Sequence, residues 1–229
     1  MSENLIKKEI KNNVPVKNAF ISVYNKAYLL NLIEGLLNYC PDITIYSSDG
    51  TYKAIANLLN PQKIQKHLKQ VSEYTGQPET EGGLVKTLHH KLFLGYLTDT
   101  TLTSHQEDLK RENAVPIDLV VVNLYPFQDV ISQKDCALEL ARKNIDVGGP
   151  SALRAGAKNF LRVMTLTEPT SYKQFIDSLR INKGATTLRQ RIDATKKTFG
   201  MLSRYDGAIS HYIENLDIRK ALECYDIIK

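Results

Sequence analysis

Residues 116–127 read PIDLVVVNLYPF. Ile117 and then Leu119, Val120, Val121 and Val122 form a nearly continuous apolar run. Such a run predicts a parallel strand covered on both faces, because a sheet with one wet face would alternate. It ends in Asn123-Leu124-Tyr125-Pro126, which puts polar groups at the strand's carboxyl end. In open α/β sheets that end is where ligands bind. Working toward the N-terminus, AFISVY (19–24) and ITIYSS (43–48) read as two more strands. Between them Leu29, Leu30, Leu32, Ile33, Leu36 and Leu37 recur at helical spacing, and Pro41 follows. Asp49-Gly50 reads as a turn, and Thr51 as the cap of a helix running to Pro61. Strand, helix, strand, turn, helix is the order of an α/β domain with a mostly parallel sheet flanked by helices.

Toward the C-terminus, helices are expected over 104–112 and 134–143, then a strand over 162–166 and a helix over 168–180. A helical C-terminal part follows over 186–213. In NIDVGGPSALRAGAKN (144–159), Gly148-Gly149 makes a flexible turn and Pro150 suits a helix start. Residues 72–90 hold three glycines and a proline and read as a long loop, a length that is often functional. Residues 1–17 read as a loose polar arm and 18–229 as one domain.

The 229 residues suffice to bury a core without staples. With 42% hydrophobic residues, disorder is excluded. No run of about 18 apolar residues exists, so no membrane span is expected. The N-terminus has no apolar core of a secretory signal. Three well-separated cysteines (Cys40, Cys136, Cys224) suggest reduced thiols and a cytoplasmic protein. The net charge of +5 is not gathered into basic runs, so nucleic acid is not an expected partner. The field still favours a small anion.

Three loops carry a lysine or hydroxyl: SVYNK (22–26), SSDGT (47–51) and GGLVKT (82–87). The first two lie between a strand and a helix, where backbone N–H groups make an anion site. None matches a standard phosphate-loop pattern, and each alone also fits an ordinary βα turn. Lys158 lies one helical turn from Arg154, a spacing at which two cations lower a lysine's pKa; a solvated surface pair fits as well. Asp146 fits a helix cap, and Tyr125 either packs or donates from its phenol. The five histidines show no metal-ligand spacing, so no metal is expected.

SVYNK, SSDGT, VKTLH (85–89), IDLVVVNLYPF, NIDVGGPSALRAGAKN and YDGAIS (205–210) together resemble the IMP cyclohydrolase domain, in order over about residues 18–213. That domain is the N-terminal half of a bifunctional purine-biosynthesis enzyme whose other half is a formyltransferase. The resemblance implies a methylglyoxal synthase-like fold, a homodimer and a purine nucleotide substrate. It implies ring closure of the formylated aminoimidazole carboxamide ribonucleotide to inosine monophosphate with loss of water, without metal or organic cofactor. Residue by residue, it implies Lys158 as the main proton donor and acceptor, with Lys86, Tyr125 and Asp146 assisting. Asn123 and the backbone at Val147 would hold the base, and Lys26, Ser48, Gly50, Thr51 and Thr87 the ribose phosphate. The chain has the length of the cyclohydrolase half alone, which points to a stand-alone domain, a paralogue or a fragment, with a separate formyltransferase elsewhere.

The chain departs from the family pattern in its loops. Asn25, Ala27 and Tyr28 alter the usual S-D-K-T-G, and Ser48-Asp49 alters S-T-G-G-T. Leu84 stands where G-R-V-K-T-L-H-P has its arginine, and His90 replaces its proline. The proton-transfer set is kept while the phosphate-holding set is thinned. An active cyclohydrolase with a weakened phosphate grip is therefore the favoured reading. The alternative is a catalytically weak nucleotide-binding or partner-binding module on the same fold. A methylglyoxal synthase-type lyase is a distant third, since NLYPF and IDVGGP do not belong to it. A missing charge-assisted arginine contact is worth about 1.5–3 kcal/mol, tenfold or more in affinity. Leu84→Arg is accordingly expected to lower the KM for the formylated ribonucleotide in a cyclisation assay; an unchanged KM would remove the weakened grip from that loop.

Overall fold

A computed structural model describes residues 9–78, 80, 85, 87–134 and 136–228. In chain order its elements are β1 (Asn13–Pro15), β2 (Asn18–Val23), α1 (Leu29–Tyr39), β3 (Thr44–Ser47), α2 (Asp49–Ala56), α3 (Pro61–His67), β4 (Leu68–Gln70) and α4 (Val71–Thr75). The chain continues through α5 (His90–Leu97), α6 (Thr103–Arg111), β5 (Leu119–Asn123), α7 (Phe127–Ile131), α8 (Leu138–Lys143) and α9 (Gly148–Lys158). It ends with β6 (Met164–Leu166), α10 (Tyr172–Ile181), β7 (Ala185–Thr187), α11 (Leu188–Glu214) and α12 (Ile218–Ala221).

Five strands form a parallel sheet in the order β4-β3-β2-β5-β6. The apolar run of β5 sits between β2 and β6, with Phe20 opposite Val120 and Ile21 opposite Val121. Its side chains divide between two faces, as the two-residue repeat of a strand requires. Leu119 and Val121 pack with Leu32, Ile33 and Leu36 of α1 and Phe175 and Leu179 of α10. Val120 and Val122 pack with Leu92 and Tyr96 of α5, Ala152 and Leu153 of α9 and Leu202 of α11. Both faces are dry, which is why every position of the run is apolar. The chain winds outward from β2 through β3 to β4, then starts again on the other side with β5. The switch point of the sheet therefore lies between the carboxyl ends of β2 and β5.

The opposite edge carries a buried clamp. Asp118, just before β5, accepts from the Lys17 and Asn18 N–H groups, each at 2.9 Å. Its other oxygen accepts from Arg162 Nη1 at 2.8 Å, and both side chains are over nine-tenths buried. Arg162 also donates to the Gly95 carbonyl at 2.6 Å, at the end of α5. Burial pushes the Asp118 carboxyl up and the Arg162 guanidinium down; each charge opposes the shift of the other.

Several expectations change. The arm is not loose at its end, because β1 pairs antiparallel with β7. Fully buried Arg191 holds it there, donating to the carbonyls of Lys11, Asn12, Phe160, Leu161 and Thr186. The helix expected from Thr51 begins at Asp49, and Thr51 turns inward to accept from the Val23 N–H at 3.0 Å. The helix expected over 134–143 covers only Leu138–Lys143. The long loop is shortened at its start by α4. The C-terminal helix runs unbroken for 27 residues from a capping box of Thr187 and Gln190. Among the described residues no helix is long and apolar enough to cross a membrane.

Removing one partner of a buried ion pair costs about 3–5 kcal/mol, because the other charge is left without compensation. Asp118→Asn is expected to lower the melting temperature by about 10 °C. Thermal unfolding followed by circular dichroism tests this, and a shift within a degree or two would show that the clamp carries little.

Candidate active site

A cleft of about 160 Å³ opens at the switch point. The end of β2 contributes Ser22 to Lys26, the first turn of α2 contributes Ser48, Gly50 and Thr51, and the end of β5 contributes Asn123 and Tyr125. Thr87, Asp146 and Gly149 complete the wall. Larger grooves exist, one of about 720 Å³ between α10 and α11, but it receives none of the residues converging from β2 and β5.

One side of the cleft is built of hydroxyls and a cation. Ser22 Oγ and Ser48 Oγ share a hydrogen bond of 2.7 Å. Lys26 Nζ donates to the Val23 carbonyl and to Thr51 Oγ1 at 3.3 Å. Thr51 Oγ1 in turn donates to the Val23 carbonyl at 3.2 Å. The strand end, the helix start and the lysine are thus locked together. Partial burial holds the Lys26 ammonium below the ordinary lysine value. Asp49, in the same loop, is not among the wall residues. Its carboxylate pairs with Lys53 at 2.8 Å and accepts from Gln70.

The start of α9 brings a carboxylate to the cleft. Asp146 Oδ1 accepts from the Gly149 N–H at 2.9 Å, capping α9, as its position before the Gly-Gly pair suggested. The Gly-Gly pair is required by close approach. A Cβ on Gly149 would lie 2.5 Å from Asp146 Oδ2 and 2.7 Å from Leu124, and one on Gly148 would strike the Thr87 hydroxyl. Tyr205 of α11 accepts from the Asp146 N–H at 2.7 Å and fixes this turn from behind. Burial raises the Tyr205 phenol's pKa, and the charges of Asp146 and Asp206 add to the shift. Asn123 is committed to the neighbouring loop. Its Oδ1 accepts from the Asn25 N–H at 2.7 Å and its Nδ2 donates to the Asn25 carbonyl at 3.1 Å.

The structure thus gathers Lys26, Ser48, Gly50, Thr51, Thr87, Asn123, Tyr125 and Asp146 in one cleft. Val147 is exposed at the start of α9. Lys86 and Leu84 lie outside the described residues. Lys158 is not brought in. It ends α9, ten residues and about 15 Å from the helix start that faces the cleft. Its neighbour Arg154 is paired with Asp206 at 3.0 Å, so the expected pair of adjacent unopposed cations does not form. Sequence reasoning passed over Ser22, Tyr24, Gly149 and Tyr205. Ser22 and Tyr24 stood in a quoted loop, and Tyr205 in YDGAIS, but no local pattern distinguishes them.

Residues 28–151, more than half of the chain, match the family model of the MGS-like domain. The chain belongs to the MGS-like domain family. Residues 156–226 match the model of the AICARFT/IMPCHase bienzyme. The first match includes the cleft residues from α2, β5 and the start of α9, while Ser22, Val23, Tyr24 and Lys26 precede it. The chain is 38% identical over 202 residues to the bifunctional purine biosynthesis protein PurH of Magnetococcus marinus, covering 88% of this chain and 36% of that protein. It is 41% identical over 201 residues to PurH of Prochlorococcus marinus strain MIT 9211, covering 85% and 36%. The chain therefore spans little more than a third of the length of these relatives. Among solved structures, the crystal structure of ForH is similar with a TM-score of 0.70 and 25% identity, over 85% of this chain and 97% of that one.

This MGS-like cleft has one partly buried cation with a lowered pKa among the described wall residues. If Lys26 holds an anion, affinity falls as pH rises through that lowered value, since the neutral amine gives no attraction. Calorimetric titration with ribose 5-phosphate from about pH 8 upward, where the phosphate is already a dianion, is expected to show this decline. Lys26→Met is expected to bind roughly tenfold more weakly at pH 8 and to lose the alkaline decline. A wild-type affinity that stays flat to the ordinary lysine pKa would argue against Lys26.

Proposed function

We propose that this cleft closes the formylated aminoimidazole carboxamide ribonucleotide to inosine monophosphate with loss of water, as an IMP cyclohydrolase in purine biosynthesis. The observation that carries the reading is the convergence of a cation, hydroxyls, a carboxylate and a phenol on one switch-point cleft. Lys26, Ser48, Gly50, Thr51 and Thr87 suit a ribose phosphate, and Asp146 and Tyr125 line the same cleft. The matches to the bienzyme model and to PurH relatives support it.

In the reaction the carboxamide nitrogen bonds to the formyl carbon, and the carbonyl electrons move to oxygen. A preorganised donor lowers the energy of that oxyanion. Tyr125 is assigned that donor role. Asp146 accepts the proton leaving the nitrogen. The new hydroxyl then takes a proton and departs as water, while the nitrogen that carried the formyl group gives up its N–H proton, leaving the ring C=N bond. Lys86 assists at the same groups. Asn123 holds the loop against which the base rests, and the Val147 backbone holds the base itself.

Lys158 cannot reach its own cleft across about 15 Å of helix. Its expected role as proton donor and acceptor therefore requires a second copy, and the proposal includes a homodimer that presents Lys158 across its interface. A separate formyltransferase, or chain beyond this sequence, supplies the substrate. The protein is placed in the cytoplasm with that pathway. The position of Lys158 also favours the second reading, a nucleotide-binding module with little turnover.

The purified protein is expected to convert the formylated ribonucleotide, followed by absorbance. No turnover at millimolar substrate would leave the binding module. Lys158→Ala and Lys26→Met are each expected to lose activity, and mixing the two variants should restore part of it. Mixing without recovery would show that Lys158 does not act across copies.

A further inference from the structure

Two large rings stand at the mouth of the cleft. Tyr24 and Tyr125 both line it, with centroids 4.9 Å apart and planes tilted by 51°. Each is about half exposed, 54% for Tyr24 and 45% for Tyr125. Paired aromatic surface left open beside a polar cavity marks a place where a ligand's flat surface is met.

Neither ring is free to swing away with its backbone. The Tyr24 N–H donates to the Asn123 carbonyl at 3.4 Å. The next residue, Asn25, is held at both its N–H and its carbonyl by the Asn123 amide. On the other side, the Tyr125 carbonyl accepts from the Phe127 N–H at 2.8 Å across Pro126. Both rings are set by the same strand end, and the geometry of a platform is in place before anything binds. A ligand whose anion sits among Lys26, Ser48 and Thr51 would carry its other end toward these rings. Two half-exposed rings offer flat aromatic surface to a planar heterocycle, which a sugar would use less well.

We propose that Tyr24 is a specificity-determining residue, whose ring, braced by Tyr125, forms an aromatic wall against the planar base of a nucleoside monophosphate. This deepens the nucleotide reading above and rests on it. Tyr24 takes no part in proton transfer; it discriminates ligands that carry a ring from those that carry only a sugar phosphate. Stacking of one base on one aromatic side chain is worth roughly tenfold in affinity.

The test is calorimetric titration of the wild type, Tyr24→Ala and Tyr24→Phe with inosine monophosphate and with ribose 5-phosphate. The expected result is a roughly tenfold loss for the monophosphate in Tyr24→Ala, the same ribose 5-phosphate affinity in both proteins, and recovery of the monophosphate affinity in Tyr24→Phe. Equal affinity of wild type and Tyr24→Ala for the monophosphate would overturn the inference, with the nucleotide reading intact. A parallel loss for both ligands would also overturn it, showing that Tyr24 only supports the loop. A wild type that binds neither ligand would sink the nucleotide reading itself.

Discussion

The buried pair of Asp118 and Arg162 sets the frame on which everything else hangs. Asp118 reads the first two N–H groups at the start of β2 with one oxygen and Arg162, just ahead of β6, with the other. Three adjacent strands are thereby indexed to one another at one edge of the sheet. A slip of one residue would turn the apolar faces of β5 inside out, but it would first strip a buried carboxylate of its partners. Desolvation alone makes such a pair costly. The cost is offset by completeness, since the guanidinium also satisfies the Gly95 carbonyl and the carboxylate accepts two backbone donors. Arg191 repeats the device without a carboxylate. Its donors go to five backbone carbonyls, and they tie the start of the chain to β7. Burial and the nearby Arg162 charge lower its pKa to about 10.

The consequence appears five residues away. With β2 and β5 held in register at one edge, Val23 and Asn123 arrive together at the other. Asn123 is then able to grip Asn25 through both amide atoms, and the loop carrying Tyr24 and Lys26 inherits its position from the sheet. The same geometry explains Lys158. A helix between two parallel strands runs back against them, so its N-terminus faces the ligand edge and its C-terminus the clamp edge. Asp146 and the Gly-Gly pair fall at the first, Lys158 at the second. No side-chain rotamer bridges that length.

Much of this was legible in the chain and some was not, for physical reasons. The β5 run was plain because burial on both faces removes every polar residue from it. The cleft's location followed, because polar groups crowd the end of that strand. β4 and β7 were not legible. Each is three residues long, and Leu68-Lys69-Gln70 and Ala185-Thr186-Thr187 have too little pattern for periodicity to register. Thr51 misled because a threonine after Asp-Gly looks like a cap, whereas here tertiary contact with Val23 decides its role. Arg191 looked like any helix-surface arginine; its burial depends on an arm almost 180 residues earlier in the chain. Asp49 carried a charge whose effect depends on Lys53, and only its helical neighbour at i+4 neutralises it.

The separation of the two edges also bears on the loop that leads into α1. Tyr28 begins α1 with φ of 57°, a left-handed conformation that costs a non-glycine residue about 1–2 kcal/mol. Such strain persists only where the surroundings over-determine it. Here Leu29, Leu32, Ile33 and Leu36 of α1 are buried against the sheet immediately after it. Neither the clamp nor the core passes through the residues at the cleft mouth. Tyr24, Asn25, Ala27 and Tyr28 sit in that loop, while Lys26, whose amine is tied to Val23 and Thr51, stays in the wall.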